Sequence, residues 1–255
     1  MTILSLISML AMLFAAAPAS CDSVSFYAKR NTEHRQPTLD PMFSYIEEYD
    51  AYYVDKAHGD DCDERVLYLT FDAGYENGNI ERILDVLKEE NVPAAFFVLE
   101  NLIKRDTALV RRMRDEGHLV CNHTMHHRDM SKITDIDAFA EELHGLEDVY
   151  RETVGGEMPK YYRPPEGRFS KENLKMAQSL GYKTVFWSFA YADWDNNKQP
   201  NEDYAIKKIL DNTHNGAIIL LHPTSATNAA ILPKLIAEWR KMGYRFASLD
   251  ELNAS

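Results

Sequence analysis

The sequence is poor in basic residues. It has 28 Lys and Arg against 40 Asp and Glu, which gives a formal net charge of -12. It also lacks a basic stripe with interleaved aromatic residues, which is the usual electrostatic footprint of a nucleic-acid-binding surface. The composition therefore argues against nucleic acid as a partner.

Cysteine is scarce as well, with only Cys21, Cys62 and Cys121 in the chain. No spacing among them requires a disulfide. Cys121 lies in a predicted strand two residues before His123, and side chains two apart share one face of a regular strand. A buried free thiol is the simpler interpretation of Cys121, and contact with a metal is the alternative.

Linkers, internal repeats and low-complexity tracts are absent too. A length of 255 residues with 45% hydrophobic content suits one globular domain. Residues 21–64 are polar, acidic and rich in tyrosine, and no chemical motif occurs in them. We interpret them as an N-terminal extension that packs on a main domain of residues 65–255.

Residues 1–20 differ from the rest of the chain. They contain an uncharged stretch rich in Leu, Met and Ala, and then Ala17-Pro18-Ala19, which resembles a signal-peptidase site. We therefore predict a signal peptide or N-terminal anchor and a protein that is exported to the cell envelope or beyond. No Lys or Arg precedes the stretch, and Cys21 stands where a bacterial lipoprotein carries its lipid. A lipoprotein, an anchor that associates with the membrane and a misplaced start are the alternatives.

After residue 64, strand-like apolar runs alternate with helical patterns. The runs include AAFFVL, KTVFWSF, AIILL and YRFASL. The periodicity and the capping residues predict helices within 78–91, 106–117, 135–153, 170–181, 201–212 and 229–242. Repeated βα units favour a parallel sheet, and the sequence therefore predicts an α/β fold with a closed or nearly closed barrel.

Five of the strand-like runs end in a chemically capable residue. The runs are VLYLTF, HLVCN, KYY, TVFWSFAYA and AIILL, and they lead into Asp72, His123, Arg163, Asp193 and His222. Because the C-terminal ends of barrel strands meet on one face, these side chains are expected to share one pocket. The sequence gives no indication of the oligomeric state.

His123 and His127 are four residues apart, so one helical turn after the strand would point both imidazoles the same way, as metal binding requires. A hydrated surface turn is the alternative for this HTMHH segment. Asp72 is a candidate general base, and an ion pair with Arg163 would keep its carboxylate ionised and oriented. A helix cap is the other role open to Asp72.

His222 is a candidate proton donor because it ends a strand on the expected catalytic face, and Asp193 could orient it. A hydrogen-bonded core histidine is the alternative. Trp194 and Trp187 suit either the core or a platform for a sugar ring. A metal that polarises a carbonyl, a base and an acid together indicate a metal-assisted hydrolase, with an amide as the preferred target.

These residues resemble the polysaccharide deacetylases of carbohydrate esterase family 4, which share the NodB homology domain. The resemblance runs from about Val66 to Leu252 and covers five motifs in order. They are TFDAG at 70–74, HTMHH at 123–127, RPPEG at 163–167, the pair Asp193-Trp194 and LLHP at 220–223.

The resemblance implies a distorted barrel of about seven parallel strands and a divalent metal, with zinc as the expected ion. It also implies that Asp72 is the base, that His123 and His127 are metal ligands and that His222 is the acid. Arg163 and Asp193 would orient the base and the acid. Tyr75, Pro165 and Trp194 are expected to contact the substrate.

The chain departs from the family pattern at Ala73. Most members carry a second aspartate there as the third metal ligand, and two histidines alone should hold the metal weakly. The segments TFDAGYENG and FWSFAYADWDNN and the region around Asn228 are most similar to the branch that deacetylates N-acetylmuramic acid for delta-lactam formation in spore-forming bacteria.

The expected substrate is therefore the glycan strand of peptidoglycan. Two alternatives stay open. One is a deacetylase of N-acetylglucosamine polymers or an O-acetyl esterase on the same scaffold. The other, suggested by Ala73, is a non-catalytic envelope protein that binds glycan.

Overall fold

A computed structural model describes residues 23–252 of the protein. The predicted signal peptide or anchor and Cys21 lie outside the described residues. The strands are β1 (Val24–Ser25), β2 (Ala51–Tyr52), β3 (Arg65–Ala73), β4 (Ala94–Val98), β5 (Leu119–Asn122), β6 (Tyr161–Tyr162), β7 (Arg168–Phe169), β8 (Lys183–Val185), β9 (Ala217–Leu221) and β10 (Tyr244–Phe246).

Helices separate most of these strands. They are α1 (Asn79–Glu89), α2 (Glu100–Arg105), α3 (Thr107–Asp115), α4 (Ile136–Thr153), α5 (Lys171–Ser179), α6 (Glu202–Asp211) and α7 (Ala226–Lys241). Among residues 23–252, no helix has both the length and the apolar character needed to cross a bilayer.

Eight strands form one curved sheet in which every strand pair is parallel. The order is β10-β3-β4-β5-β6-β8-β2, and β9 also pairs with β3. A parallel bridge between Phe189 and Ile219 joins the chain after β8 to β9, which closes the ring. The predicted α/β fold with a distorted barrel of parallel strands is confirmed, with eight strands where about seven were expected.

Strand β3 shows how the sequence places the site. Its side chains alternate between the two faces of the sheet, as in any strand. Val66 and Tyr68 pack inside the barrel, and Thr70 and Asp72 follow on that inner face toward the pocket. The other side chains of the strand point to the opposite face, where they are buried against the helices in an apolar cluster, here called the helix-facing cluster. From β3 this cluster contains Leu67, Leu69, Phe71 and Ala73. The methyl group of Ala73 therefore lies on the face opposite to Asp72.

The predicted helices are present, with differences at some ends. Helix α7 begins at Ala226 because the Ser225 hydroxyl accepts a hydrogen bond from the amide of Asn228. Helix α2 was not predicted, and Asp106, the first residue of the predicted helix within 106–117, makes no side-chain cap bond to α3. The run TVFWSFAYA is a strand only up to Val185, so Asp193 is reached through irregular chain rather than at a strand end.

The segment before β3 takes part in the sheet. Strand β2 pairs in parallel with β8, and Val54 forms an antiparallel bridge with Ala217 of β9. The ring of Phe26 stacks on that of Phe186 with 4.4 Å between centroids. These contacts cover the side of the barrel where β8 would otherwise have a free edge.

His118 is buried, and we expect it to make the protein less stable at acidic pH. Its side chain packs against Phe96, and both ring nitrogens lack a hydrogen-bond partner among the described residues. Burial lowers the pKa of His118 to about 4 from 6.5. Between these two values the unfolded chain binds the proton and the folded chain does not, so stability falls as the pH falls.

Replacing His118 by leucine should therefore make unfolding less sensitive to acid. Between pH 7 and pH 5 the wild-type protein is expected to lose about 2 kcal/mol more of its free energy of unfolding than the variant does. Urea denaturation of both proteins at the two pH values measures this difference. Equal losses in both proteins would contradict the prediction.

Candidate active site

Asp72 and Arg163 form a buried ion pair near the end of β3. Oδ1 of Asp72, at the end of β3, accepts a hydrogen bond of 2.8 Å from Nη1 of Arg163, which follows β6. The arginine side chain is 0% exposed and that of Asp72 is 11% exposed. Burial alone would raise the pKa of Asp72, but the charges of Arg163, His123 and His222 outweigh it and lower this pKa. The carboxylate is therefore ionised and has a fixed orientation.

Every other contact of the arginine holds it in place. Its Nε donates to the carbonyl of Val185 at 2.8 Å, and Nη2 donates to Phe186 O and Thr70 Oγ1. The guanidinium also lies 4.1 Å from the centroid of the Phe97 ring. Because these carbonyls lie at the last residue of β8 and directly after it, the position of the Asp72 carboxylate depends on β8 as well as on β3.

His123 presents one free nitrogen to the pocket. Its Nδ1 lies 2.9 Å from the carbonyl oxygen of Arg163, which can only accept, so Nδ1 carries the proton. Nε2 then has a free lone pair, 3.7 Å from Oδ2 of Asp72. Burial lowers the pKa of His123 to about 4, which keeps the ring neutral at neutral pH.

The second histidine approaches the first through a loop. The rings of His123 and His127 lie 5.1 Å apart between centroids. The expected helical turn is absent, because Thr124 and His127 both have positive φ angles of 72° and 55°. The Thr124 hydroxyl holds the turn by accepting a bond of 3.0 Å from the His127 amide. The two imidazoles are adjacent as predicted, but for a different structural reason.

Glu142 of α4 secures this loop from behind. Its buried carboxylate accepts from the backbone amide of His126 at 3.1 Å and contacts Nδ1 of the same residue at 2.9 Å. Arg128 adds an ion pair of 3.1 Å to the same oxygen. The imidazole of His126 is thus turned toward α4. The loop that carries His127 is held by Thr124 within it and by Glu142 behind it.

His222 and Asp193 form a second pair. Oδ1 of Asp193 lies 2.7 Å from Nδ1 of His222, and Oδ2 accepts from the His222 amide at 2.9 Å. Burial lowers the pKa of His222, but the hydrogen bond and charge of Asp193 and the charge of Asp72 outweigh it and raise this pKa overall. Asp72 and His222 thus lie close enough for each to shift the pKa of the other.

Asn228 and Tyr191, whose segments carry the family resemblance but which received no predicted role, complete this pair. Nδ2 of Asn228 donates to Oδ2 of Asp193 at 2.6 Å and to the His222 carbonyl at 3.1 Å. The Tyr191 hydroxyl donates to Oδ1 of Asn228. The resemblance marked both segments, but nothing in the residue pattern indicates a contact between these two side chains.

The predicted substrate contacts differ in exposure. Trp194 is 60% exposed, and its ring meets that of His222 edge-on at 6.0 Å between centroids. Tyr75 is 44% exposed, and its hydroxyl accepts a hydrogen bond from Nδ2 of Asn196. Both rings are free to contact a sugar, whereas Pro165 is buried in a short turn next to Arg163.

The donor atoms present are compatible with a metal, although few in number. Nε2 of His123 is deprotonated, and Nδ1 is oriented by a carbonyl, as is usual for metal-ligating histidines. His127 lies beside it. Within residues 23–252, no group of three or more His, Cys, Asp or Glu side chains is placed to hold a metal. Ala73 supplies no ligand, and its methyl group faces the helices.

Comparison with known proteins identifies the family. Residues 59–185 match the family model of polysaccharide deacetylases. The peptidoglycan-N-acetylmuramic acid deacetylase PdaA of Bacillus subtilis is 41% identical over 249 residues, which cover 95% of this chain and 92% of that protein.

Solved structures agree with this. The structure of Bacillus subtilis PdaA, a family 4 carbohydrate esterase, matches with a TM-score of 0.85 and 39% identity, covering 91% of this chain and 97% of that one. A family 4 carbohydrate esterase from Bacillus anthracis matches with a TM-score of 0.71 and 36% identity, covering 88% and 97%.

Deacetylases of this family are hydrolases of carbohydrate acetyl groups and generally depend on a metal. The fold, the order of the five motifs and the similarity over nearly the whole chain lead to the same conclusion. The protein belongs to the polysaccharide deacetylase family, carbohydrate esterase family 4.

Proposed function

We propose that this enzyme hydrolyses the N-acetyl group of N-acetylmuramic acid in peptidoglycan, which gives acetate and the free amine needed for the muramic delta-lactam. The observation that carries the proposal is that a fixed carboxylate, Asp72, and a proton-carrying imidazole, His222, lie close enough for each to shift the pKa of the other. The similarity to PdaA, which is named for this substrate, supports the choice of glycan.

Each residue has a role that its contacts support. Asp72 takes a proton from the attacking water, and Arg163 keeps this carboxylate ionised and directed into the pocket. His222 gives a proton to the departing nitrogen, and Asp193 holds its ring by Nδ1 so that Nε2 faces the substrate. The backbone amide of Tyr75 would stabilise the oxyanion of the tetrahedral intermediate.

His123 and His127 would hold a divalent metal, with zinc as the proposed ion. When bound, the metal polarises the acetyl carbonyl and places the water. With two protein ligands the binding should be weak, because catalytic zinc normally has three. The rings of Trp194 and Tyr75 would stack on sugars of the glycan strand, and Pro165 would shape the pocket floor below them.

We further propose an exported enzyme in which residues 1–20 direct export, residues 21–64 support the barrel and residues 65–255 form the catalytic domain. The envelope is where relatives that act on peptidoglycan would meet their substrate. Lipidation of Cys21 and a retained N-terminal anchor are the alternatives to a cleaved signal peptide.

Acetate release tests the function. The protein should release acetate from peptidoglycan strands freed of stem peptides, more slowly from chitin oligomers, and faster after zinc is added to chelator-treated protein. A preference for chitin oligomers would instead favour the N-acetylglucosamine alternative. The Asp72→Asn variant gives the background rate.

A non-catalytic glycan-binding protein is the second candidate, and the absence of a third ligand at Ala73 favours it. Under this alternative, the protein would bind peptidoglycan strands equally well with and without a chelator and would release no acetate under any metal condition. Measuring strand binding and acetate release on the same samples distinguishes the two functions.

Glu142 provides a prediction about metal affinity. Glu142→Gln can still accept from the His126 amide but loses the negative charge that pairs with Arg128 and contacts the His126 ring, so the loop carrying His127 should loosen. Zinc affinity should fall by about 10- to 100-fold, as is usual when a group that orients a ligand is lost. Calorimetric zinc titration measures this. The control is Glu141→Gln, one residue away and exposed, and equal affinities in both variants would refute the role.

A further inference from the structure

We infer that Asn228, oriented by Tyr191, is a positioning residue for the proton donor His222. Nδ2 of Asn228 donates to Oδ2 of Asp193 at 2.6 Å, and Oδ1 of that carboxylate faces Nδ1 of His222 at 2.7 Å. This inference rests on the proposed function, because it assigns a role in delivering the proton to the departing nitrogen.

The amide of Asn228 has only one orientation that satisfies its contacts. Oδ2 of Asp193 and the carbonyl of His222 can only accept, so Nδ2 must face them, and Oδ1 is left to accept from the Tyr191 hydroxyl. A flipped amide would place Oδ1 against Oδ2 of the carboxylate, and two acceptors would then repel each other. The Tyr191 hydroxyl therefore holds the other end of the amide.

The array is rigid because all of its parts are buried. Asn228 and Asp193 are each 1% exposed, and Tyr191 is 6% exposed. The backbone amide of Asn228 is bound to Ser225 Oγ at 3.1 Å in the first turn of α7, so its side chain starts from a fixed point. Tyr191 and Asp193 are two residues apart in chain that has no regular secondary structure. Asn228 thus ties this irregular segment to a helix.

Oδ2 of Asp193 receives two donors, the amide of His222 and Nδ2 of Asn228. These donors share the negative charge of the carboxylate and limit how strongly Oδ1 attracts the proton on the imidazole. The other charged groups that act on His222 are Asp72 and Arg163, on β3 and after β6. Among the described contacts, Asn228 touches neither Asp72 nor Arg163. Its removal therefore changes the electrostatic potential at His222 through Asp193.

Two variants test this inference. Asn228→Leu removes the donor to Asp193, and Tyr191→Phe removes only the hydroxyl that orients the amide. In both variants, Oδ1 of Asp193 should hold the Nδ1 proton of His222 more tightly. Because a stronger hold on the proton makes a weaker acid, kcat at neutral pH should fall about tenfold and KM should change little. The alkaline limb of the plot of kcat against pH should move to higher pH.

Tyr182→Phe is the matched control. It removes another buried tyrosine hydroxyl, which is bound to Glu147 of α4, outside the site. This variant should lose stability without a change in the pH profile.

The pKa of His222 is measured independently of activity by NMR titration of its ring in all four proteins. It should rise in Asn228→Leu and Tyr191→Phe and stay unchanged in Tyr182→Phe. A His222 pKa that stays or falls in both site variants, or that rises equally in the control, would overturn the inference. If the wild-type protein releases no acetate, the proposed function fails, and the NMR titration still decides the role of Asn228.

Discussion

Replacing Asp72 by asparagine is expected to reduce acetate release by about 10²- to 10⁴-fold, the usual contribution of a general base. The amide keeps the shape of the carboxylate and can still accept a hydrogen bond from Arg163. It cannot take a proton from water. Acetate release from peptidoglycan strands, measured with saturating zinc, gives the size of the loss.

The same change should also lower stability, because the guanidinium of Arg163 is fully buried and would lose its counter-charge. Breaking a buried ion pair by removing one partner costs about 3 kcal/mol or more. Urea denaturation measures this.

The control for both effects is Asp85→Asn. It breaks an exposed pair with Arg112 on the outer helices and should cost less than about 1 kcal/mol and leave activity intact. Wild-type acetate release by the Asp72 variant would remove Asp72 from the mechanism.

Replacing Ala73 by aspartate is expected to make the stability of the protein depend on zinc. The methyl group of Ala73 is 0% exposed in the helix-facing cluster, and a carboxylate there would be buried without a partner. The metal-free variant should therefore lose about 3 kcal/mol of its free energy of unfolding. Turning the new carboxylate toward His123 and His127 would give zinc a third ligand. Zinc should restore much of the lost stability and bind more tightly than in the wild-type protein.

Ala94→Asp is the matched control for this prediction. Ala94 belongs to the same cluster but lies at the opposite end of the neighbouring strand β4, so its aspartate has no metal within reach. Thermal unfolding with and without zinc, together with calorimetric titration, separates the two variants. Equal zinc effects in both would show that residue 73 cannot approach the metal, and the missing ligand would then not explain weak binding.

Much of this architecture could be predicted from the sequence because it depends on local patterns. Ile80, Ile83, Leu84 and Leu87 recur at helical spacing and form the buried face of α1. The runs before Asp72 and His222 are long and apolar, so their ends could be located. Parallel pairing then brings those ends together.

The remaining features depend on contacts between distant parts of the chain. Strand β6 has only two residues, and its length is set by pairing with β5 and β8 rather than by its own sequence. His127 approaches His123 through two residues with positive φ, which no spacing rule predicts. Glu142 resembles any other helix residue in the sequence until the fold places it behind the histidine loop.

Strand β2 determines how this protein can be shortened. It pairs with the outer edge of β8. The carbonyls of Val185, in β8, and of Phe186, directly after it, hold the guanidinium of Arg163 next to Asp72. A recombinant version that started at Arg65 would retain all five motifs yet leave that margin bare, open to intermolecular association. Engineered versions should therefore begin upstream of Ala51.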